Sequence, residues 1–285
     1  MYRIALPNKG RLADDARALF DDAGLDVRVH GDRALTAALG RGDLFQAIFV
    51  RAEDIPEFVA DGAAELGVTG WDLVSESARD VRCLLDLQFG RCRLAVAVQD
   101  ECGIRALRDI GQGTRVATAF PRLAHAFFDG ARIPVEIVPV SGAAEIAPHL
   151  GIADVIVDLV STGSTLRVNG LREVATVCES TARLITRDGG EPDRPVRELV
   201  AALESVVRAK GQRYLMANVP RVALPSVKQV LPGLDGPTVV DILNGGDHVA
   251  VHAVVPAAEV YRTIAELQSL GATGLLVTRI ERLVP

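Results

Sequence analysis

The sequence predicts an α/β protein with two similar lobes and a small C-terminal domain. Over the first 185 residues, short apolar runs typical of strands alternate with helical patterns, which predicts α/β architecture with largely parallel sheets. Residues 64–74 and 153–166 each contain a buried strand, a glycine-containing turn and a helix start, which indicates two lobes facing each other across a cleft. From about residue 211 the order becomes β-α-β-β-α-β, which is ferredoxin-like.

The individual elements follow from the spacing of apolar residues along the chain. In the first part we predict strands at residues 3–6, 47–50, 66–69, 94–98, 115–119, 135–138, 155–157 and 182–185. We predict helices there at residues 12–23, 123–129 and 196–209. In the last part we predict strands at 214–220, 237–243, 248–255 and 274–280, and helices at 225–231 and 257–270.

Composition excludes several classes of protein. With 49 % hydrophobic residues, the chain of 285 residues can bury enough apolar surface to fold, so disorder is not its main state. The net charge of −6 has the wrong sign for duplex DNA, and we expect no nucleic-acid partner. No segment reaches the ~18 apolar residues of a membrane span. The N-terminus lacks the apolar core of a signal peptide, so we expect a cytoplasmic protein without membrane association.

The most informative segment is DVIVDLVSTGSTL, at residues 154–166. Asp158 belongs to an apolar strand, and a loop of small and hydroxyl residues follows it: Ser161, Thr162, Gly163, Ser164 and Thr165. Such a loop presents backbone amides and hydroxyls in one concavity, which suits a phosphate monoester. Asp154 and Asp158 precede the loop and are candidates for ribose hydroxyls or Mg²⁺. The alternative is a helix-capping turn without a ligand.

Two further strand ends carry charged residues. PNKGRL places Lys9 and Arg11 after a strand, where α/β sheets bind ligands and where cations would neutralise phosphates. A solvated loop is the alternative interpretation. TGWD places Asp72 after another strand, where it is a ligand candidate or simply an acidic residue in the first turn of a helix.

Motifs for other chemistries are missing from the sequence. There is no Walker A sequence, no complete dinucleotide fingerprint and no nucleophile elbow. The four cysteines, at residues 83, 92, 102 and 178, have no metal-knuckle spacing, and we expect reduced thiols. The expected chemistry is therefore binding and positioning rather than covalent catalysis.

These segments together resemble a known family. The chain resembles the long-form ATP phosphoribosyltransferases, which catalyse the first step of histidine biosynthesis. The likeness runs from end to end through PNKGRL, RAEDIP, ELGVTGWDLV, RVATAFPRLA, the block from SGAAEIAPHLGIADVIVDLVSTGSTL to RVNGLREV, QRYLMANVP, LPGLDGPTVV and GATGLLVTRIERL.

The resemblance implies a reaction and a domain plan. N1 of ATP would attack C1′ of 5-phosphoribosyl 1-diphosphate with Mg²⁺ as cofactor, giving phosphoribosyl-ATP and pyrophosphate. The catalytic region would be two-lobed and periplasmic-binding-protein-like (type II), and the last domain ACT-like. We expect lobe I at residues 1–92, completed by about 180–210. Lobe II then spans 93–179 and the regulatory domain 211–285.

The resemblance also assigns roles to residues. The loop of residues 161–165 would hold the 5′-phosphate of 5-phosphoribosyl 1-diphosphate. Asp154 and Asp158 would be catalytic residues near the ribose or the metal. ATP would be bound by five residues: Lys9, Gly10, Arg11, Arg51 and Asp72. Of these, Arg11 is the weakest match, because the family accepts other residues there.

Regulation is implied in the same way. The family likeness predicts a homo-oligomer, a hexamer built of dimers, that L-histidine inhibits at the C-terminal domain. Asn218, Thr238 and Gly274 match inhibitor-contact regions. Asn218 stands where some relatives have an acid that pairs with the amino group of histidine, and Gly274 where a relative has a larger residue. The alternative function is a two-lobed binding or regulatory protein without catalysis, because solute-binding proteins share this type of fold.

Overall fold

The computed structural model describes residues 1–28, 34–42, 44–243 and 246–284. It divides into two compact units, Met1–Pro192 and Asp193–Pro285, which are described separately. The sequence-based plan assigns residues 180–210 to lobe I. The structure instead groups the helix Arg194–Ala209 with the C-terminal unit, where the carbonyl of Ser205 accepts a hydrogen bond from Leu283 N.

The elements of the first unit, in the described residues, are as follows in chain order. The strands are β1 (Tyr2–Pro7), β2 (Val27–Arg28), β3 (Thr36–Leu39), β4 (Phe45–Val50), β5 (Leu66–Gly70), β6 (Val81–Asp86), β7 (Cys92–Gln99), β8 (Thr114–Thr118), β9 (Val135–Pro139), β10 (Val155–Val160), β11 (Leu171–Ser180) and β12 (Ala182–Arg187). The helices are α1 (Ala13–Asp22), α2 (Ile55–Ala60), α3 (Trp71–Ser77), α4 (Pro121–Gly130) and α5 (Ser164–Val168).

The strands of this unit form two sheets, as expected for two lobes. The first has the order β2-β3-β4-β1-β5-β12-β6 and the second β11-β7-β10-β8-β9. The expectation of largely parallel sheets is wrong. Only the pairs β1–β4, β1–β5, β8–β10 and β8–β9 are parallel in the described residues. The chain passes from one sheet to the other between β6 and β7 and returns between β11 and β12 without a helical crossover, so these strands pair antiparallel.

Burial explains which strands the sequence could predict. Both faces of β7 are covered, because Leu94, Val96 and Val98 pack against α4 residues, while Ala95 and Ala97 pack with the cluster around Leu166. Such strands appear as unbroken apolar runs. The strands that escaped prediction are β2, β3, β6 and β11, which are short, partly exposed or irregular. In β11 the pairing with β7 contains two register shifts.

The C-terminal unit confirms the predicted β-α-β-β-α-β order. It contains α6 (Arg194–Ala209), β13 (Gln212–Pro220), α7 (Leu224–Val230), β14 (Thr238–Asp241), β15 (His248–Pro256), α8 (Val260–Ser269) and β16 (Thr273–Arg279). Its antiparallel sheet has the order β14-β15-β13-β16. Alternate residues of β13 and β15 face a core shared with α7 and α8, as the period-2 pattern requires. In the described residues, no helix combines the length and apolar character needed to cross a membrane.

A tightly packed glycine in β5 offers a test of this fold. A Cβ on Gly67 would lie 2.5 Å from Ile55 Cγ2 and 2.9 Å from Val59 Cγ2. Because α2 covers the strand there, Gly67→Ala should lower the free energy of unfolding by about 1–3 kcal/mol in urea denaturation. Gly103→Ala is the matched control, since its added methyl meets no atom within 4 Å. Equal stability of the two variants would contradict the packing of α2 on β5.

Candidate functional site

A cavity of about 330 Å³ lies at the carboxyl ends of β1, β4 and β5. It is lined by Asn8, Lys9, Gly10, Arg11, Leu12, Arg51, Ala52, Glu53, Asp72, Leu73 and Leu159. We call it the cationic cavity, because three basic side chains border it. Parallel strands place ligands at this end of a sheet, as the sequence predicted. All five residues predicted for ATP lie here.

Two basic residues of the cationic cavity, Lys9 and Arg51, are exposed to solvent. Lys9 is exposed, and the side chain of Arg51 is 63 % exposed, with Glu53 at the outer limit of an ion pair, 4.0 Å away. An ion pair of this length at the surface leaves the guanidinium available to an anion. Gly10 has φ +83°, a left-handed conformation that lets the chain turn from β1 toward α1.

Asp72 is fully buried beside this cavity and is completely engaged within the protein. Ser180 Oγ donates to its Oδ1 at 2.5 Å, and the backbone N–H of Asp72 donates back to Ser180 Oγ at 2.9 Å. Arg11 Nη2 lies 3.1 Å from Oδ1 and 3.2 Å from Oδ2. Arg11 Nη1 donates to the carbonyl of Gly90. Asp72 therefore orients Arg11 in the cavity.

A second cavity, of about 140 Å³, surrounds the loop that follows β10. We call it the loop cavity. It is lined by Glu145, Asp158, Leu159, Val160, Ser161, Thr162, Gly163, Ser164, Thr165 and Leu166. The hydroxyls of Thr162 and Ser164 are 2.9 Å apart, and Gly163 has φ +75°. A Cβ on Gly163 would lie 3.3 Å from Arg167 Nη1, so this turn suits glycine on both counts.

Asp158 supplies a perturbed carboxylate to the loop cavity. Burial raises its pKa, and the Glu145 carboxylate raises it further, although a 2.7 Å hydrogen bond from Leu159 N favours the ionised form. Two carboxylates and several hydroxyls lining one cavity form a set of hard oxygen donors suited to Mg²⁺. In the described residues, no cluster of three or more His, Cys, Asp or Glu could hold a metal by itself.

Asp154 is the predicted residue that the structure does not bring to either cavity. It precedes β10, at the end of the strand opposite to the loop, and contacts Arg115. The N–H of Arg115 donates to Asp154 Oδ2 at 2.9 Å and Arg115 Nη2 lies 3.3 Å from Oδ1. These hydrogen bonds lower the pKa of Asp154. Four residues of extended strand span ~13 Å, which separates Asp154 from Asp158.

The two cavities adjoin, because Leu159 lines both. Among the residues that escaped prediction from the sequence, Glu145 lines the loop cavity, and Ser180 and Gly90 contact Asp72 and Arg11 beside the cationic cavity. Each has ordinary local sequence around it, and only the folded chain brings it to the site. A ligand in the cationic cavity and one in the loop cavity would be neighbours across Leu159.

In the C-terminal unit, the structure brings together two of the three predicted inhibitor contacts. A Cβ on Gly274 would lie 3.0 Å from Asn218 Nδ2, so these residues of β16 and β13 are neighbours. Thr238 lies on β14, at the opposite edge of the same sheet. One copy of this unit therefore does not gather all three residues at one place.

Comparisons with known proteins agree with this architecture. A profile of the ATP phosphoribosyltransferase family (HisG) matches residues 51–205, and a profile of the HisG C-terminal domain matches residues 209–282. A solved structure described as the ATP phosphoribosyl transferase (HisG:HisZ) complex from Thermotoga maritima aligns with a TM-score of 0.63 at 23 % identity. It covers 73 % of this chain and 99 % of that one, which supports the two-lobed fold.

Curated relatives extend the likeness over the full length. ATP phosphoribosyltransferase of Gemmatimonas aurantiaca is 64 % identical over 294 residues, covering 100 % of both chains. The enzyme of the same name from Natronomonas pharaonis is 48 % identical and covers 99 % of this chain and 100 % of its own. The chain belongs to the ATP phosphoribosyltransferase family, the pentosyltransferases of EC 2.4.2.17 in histidine biosynthesis.

Proposed function

We propose that this enzyme transfers the phosphoribosyl group of 5-phosphoribosyl 1-diphosphate to N1 of ATP. The bond between C1′ and the diphosphate oxygen breaks, a bond between C1′ and adenine N1 forms, and pyrophosphate leaves. The observation that supports this most is the pair of adjoining cavities, one cationic and one lined by hydroxyls and carboxylates, joined at Leu159. Two anionic substrates held side by side need orientation and charge stabilisation rather than a protein nucleophile.

The loop cavity suits the phosphoribosyl donor. Residues 161–165 offer hydroxyls and backbone amides to the 5′-phosphate, and the turn at Gly163 leaves room for a close approach. Asp158, at the end of β10, is within the same cavity and would accept hydrogen bonds from the ribose. Asp154 has no part in this arrangement, because it is paired with Arg115 at the other end of the strand.

The cationic cavity suits the phosphates of ATP and the departing pyrophosphate. Lys9 and Arg51 are exposed there, and Arg11 is held in place by Asp72. The positive charges of Lys9 and Arg51 would stabilise negative charge on the leaving oxygen as the C1′ bond breaks. ATP as a substrate fits the cytoplasmic location expected from the sequence.

Mg²⁺ fits the donor set beside this cavity. Asp158 and Glu145 provide oxygen ligands whose mutual repulsion a divalent cation would relieve. Mg²⁺ is commonly held by one or two carboxylates together with substrate phosphates, which agrees with a site that the protein alone does not complete. When bound, the ion would neutralise charge on the diphosphate leaving group.

L-histidine inhibition would act through the C-terminal unit, in a hexamer built of dimers. Asn218 and Gly274 are neighbours, whereas Thr238 lies at the other edge of the sheet. A pocket formed between two copies, with one edge from each, would use all three residues. Histidine binding there and substrate binding in the first unit would then be coupled reciprocally.

The experiment that tests the whole proposal is an assay of phosphoribosyl-ATP formation. Purified protein is incubated with ATP, 5-phosphoribosyl 1-diphosphate, Mg²⁺ and pyrophosphatase, with and without L-histidine. Product that histidine suppresses supports both the reaction and its regulation. Folded protein that binds the substrates without forming product would favour the non-catalytic binding function.

The first prediction concerns the loop. Thr162→Ala removes a hydroxyl that pairs with the hydroxyl and the backbone N–H of the exposed Ser164, two residues away, so folding should be unaffected. The KM for 5-phosphoribosyl 1-diphosphate should rise about tenfold, because one hydrogen bond to a charged phosphate is lost. The KM for ATP should change little. Ser269→Ala, a similar change on exposed α8, is the control, and an unchanged donor KM in Thr162→Ala would refute the loop assignment.

The second prediction concerns Asp158 and pH. Since its pKa is raised, Asp158 takes up a proton at a higher pH than an ordinary aspartate, and donor affinity with Mg²⁺ should fall as pH falls through that pKa. Asp158→Asn should abolish this pH dependence and weaken donor binding. At neutral pH the variant should also resist urea better than the wild type, because a charge disfavoured by burial is removed.

The pKa of Asp154 is shifted in the opposite direction, so its effect on stability has the opposite dependence on pH. Its lowered pKa means that its ion pair stabilises the fold above the ordinary aspartate pKa, and that this stabilisation is lost as pH falls through the lowered value. Asp154→Asn should therefore destabilise the protein at neutral pH and leave donor affinity unchanged. If donor binding weakens in Asp154→Asn as much as in Asp158→Asn, Asp154 contributes to the donor site and this prediction is wrong.

The third prediction concerns regulation. Asn218→Asp places a carboxylate where the amino group of histidine would bind, so the half-inhibitory concentration of L-histidine should fall about tenfold. Inhibition curves of the purified variants measure this. Gln229→Glu makes the same amide-to-acid change on exposed α7 and should leave inhibition as in the wild type. Identical inhibition in Asn218→Asp and the wild type would exclude contact of this residue with the inhibitor.

A further inference from the structure

The chain crosses between its two sheets twice, and the two crossings are bonded to each other. The first comprises residues 87–91, between β6 and β7, and the second residues 180–182, from the last residue of β11 to the first residue of β12. Leu87 N donates to the carbonyl of Ala182 at 3.0 Å, and Ala182 N donates to that of Phe89 at 2.9 Å. The first residue of α3 joins them, since Trp71 N donates to the carbonyl of Thr181 at 3.0 Å.

One guanidinium of the cationic cavity is tied to both crossings. Arg11 Nη1 donates to the carbonyl of Gly90 in the first crossing. Its Nη2 contacts the Asp72 carboxylate, which in turn receives the hydroxyl of Ser180 in the second crossing. Ser180 is 2 % exposed and Asp72 0 %, whereas the side chain of Arg11 is 31 % exposed toward the cavity. The network thus runs from the protein interior to the cationic cavity.

The surrounding backbone leaves this network little freedom. A Cβ on Gly70 would collide with Asp72 Oδ1, and a Cβ on Gly90 would collide with Leu12 Cδ2 and come within 3.1 Å of Arg11 Nη1. A buried carboxylate that loses a donor carries an unmet desolvation cost and moves to satisfy it. Removing the Ser180 hydroxyl should therefore displace Asp72 and, with it, Arg11.

We propose that Ser180 is a positioning residue for the nucleotide: acting through Asp72, it holds the Arg11 guanidinium in the geometry that binds ATP phosphates. This inference rests on the proposed function, in which the cationic cavity binds ATP. Ser180 itself lines neither cavity and touches no substrate. Replacing Ser180 should therefore weaken the binding of ATP alone, whereas a general structural role would weaken the binding of both substrates alike.

The test measures binding of each substrate to full-length Ser180→Ala. Trp71 is the single tryptophan of the chain and adjoins Asp72, so its fluorescence follows an ATP titration locally. Binding of 5-phosphoribosyl 1-diphosphate with Mg²⁺ is measured by calorimetry. The Kd for ATP should rise about tenfold, and the Kd for the donor should stay within about twofold. Ser205→Ala, which deletes another buried serine hydroxyl in the second unit, should change neither.

A double-mutant cycle shows whether Ser180 acts through Asp72. If it does, Ser180→Ala combined with Asp72→Asn should bind ATP no more than about twofold more weakly than the weaker single variant. Additive losses would overturn the proposal, and so would wild-type ATP affinity in Ser180→Ala. An equal loss of affinity for both substrates in Ser180→Ala would show that Ser180 has only a structural role, which would also overturn the proposal. Failure of the wild type to bind ATP would instead refute the proposed function.

Discussion

The buried carboxylate of Asp72 is the constraint on which the catalytic unit depends. A charge removed from water needs donors close by, and in this chain they come from two distant segments, at Arg11 and Ser180. Its own N–H faces Ser180 at the second crossing between the sheets, and Arg11 approaches from the end of β1. Arg11 then binds Gly90 at the first crossing. Satisfying one carboxylate therefore joins the loop after β1, the start of α3 and both connections between the lobes.

The remaining charges divide the reaction we propose between the two cavities. Exposed cations such as Lys9 and Arg51 border one, and the carboxylates Asp158 and Glu145 border the other. Leu159 lines both cavities. The raised pKa of Asp158 means that its buried charge destabilises the fold at the ligand site we propose. The lowered pKa of Asp154 means that its ion pair with Arg115 stabilises the fold.

In the C-terminal unit, the strand order of the sheet decides which of the predicted inhibitor contacts are neighbours. The core of this unit lies between one face of the sheet and helices α7 and α8, so Asn218, which alternates with core residues along β13, lies on the other face. Asn218 and Gly274 pack together because β13 and β16 are neighbours, and Thr238 stands apart because β14 is at the far edge. In the function we propose, inhibition by histidine therefore requires assembly, because the pocket forms between two copies.

The sequence by itself determined the local elements: apolar runs predicted strands such as β1 and β10, and hydroxyl and glycine residues predicted the turn after β10. Of the predicted loop, residues 161–163 form this turn and residues 164 and 165 begin α5. It could not determine the partly exposed, irregular β11, whose pairing depends on β7. Strand geometry separates Asp154 from Asp158, whereas only the tertiary structure paired Asp154 with Arg115 and brought Ser180 to Asp72, 108 residues away. Spacing along the chain reports local periodicity, whereas the pairing of buried polar groups is decided by how the strands and crossings pack.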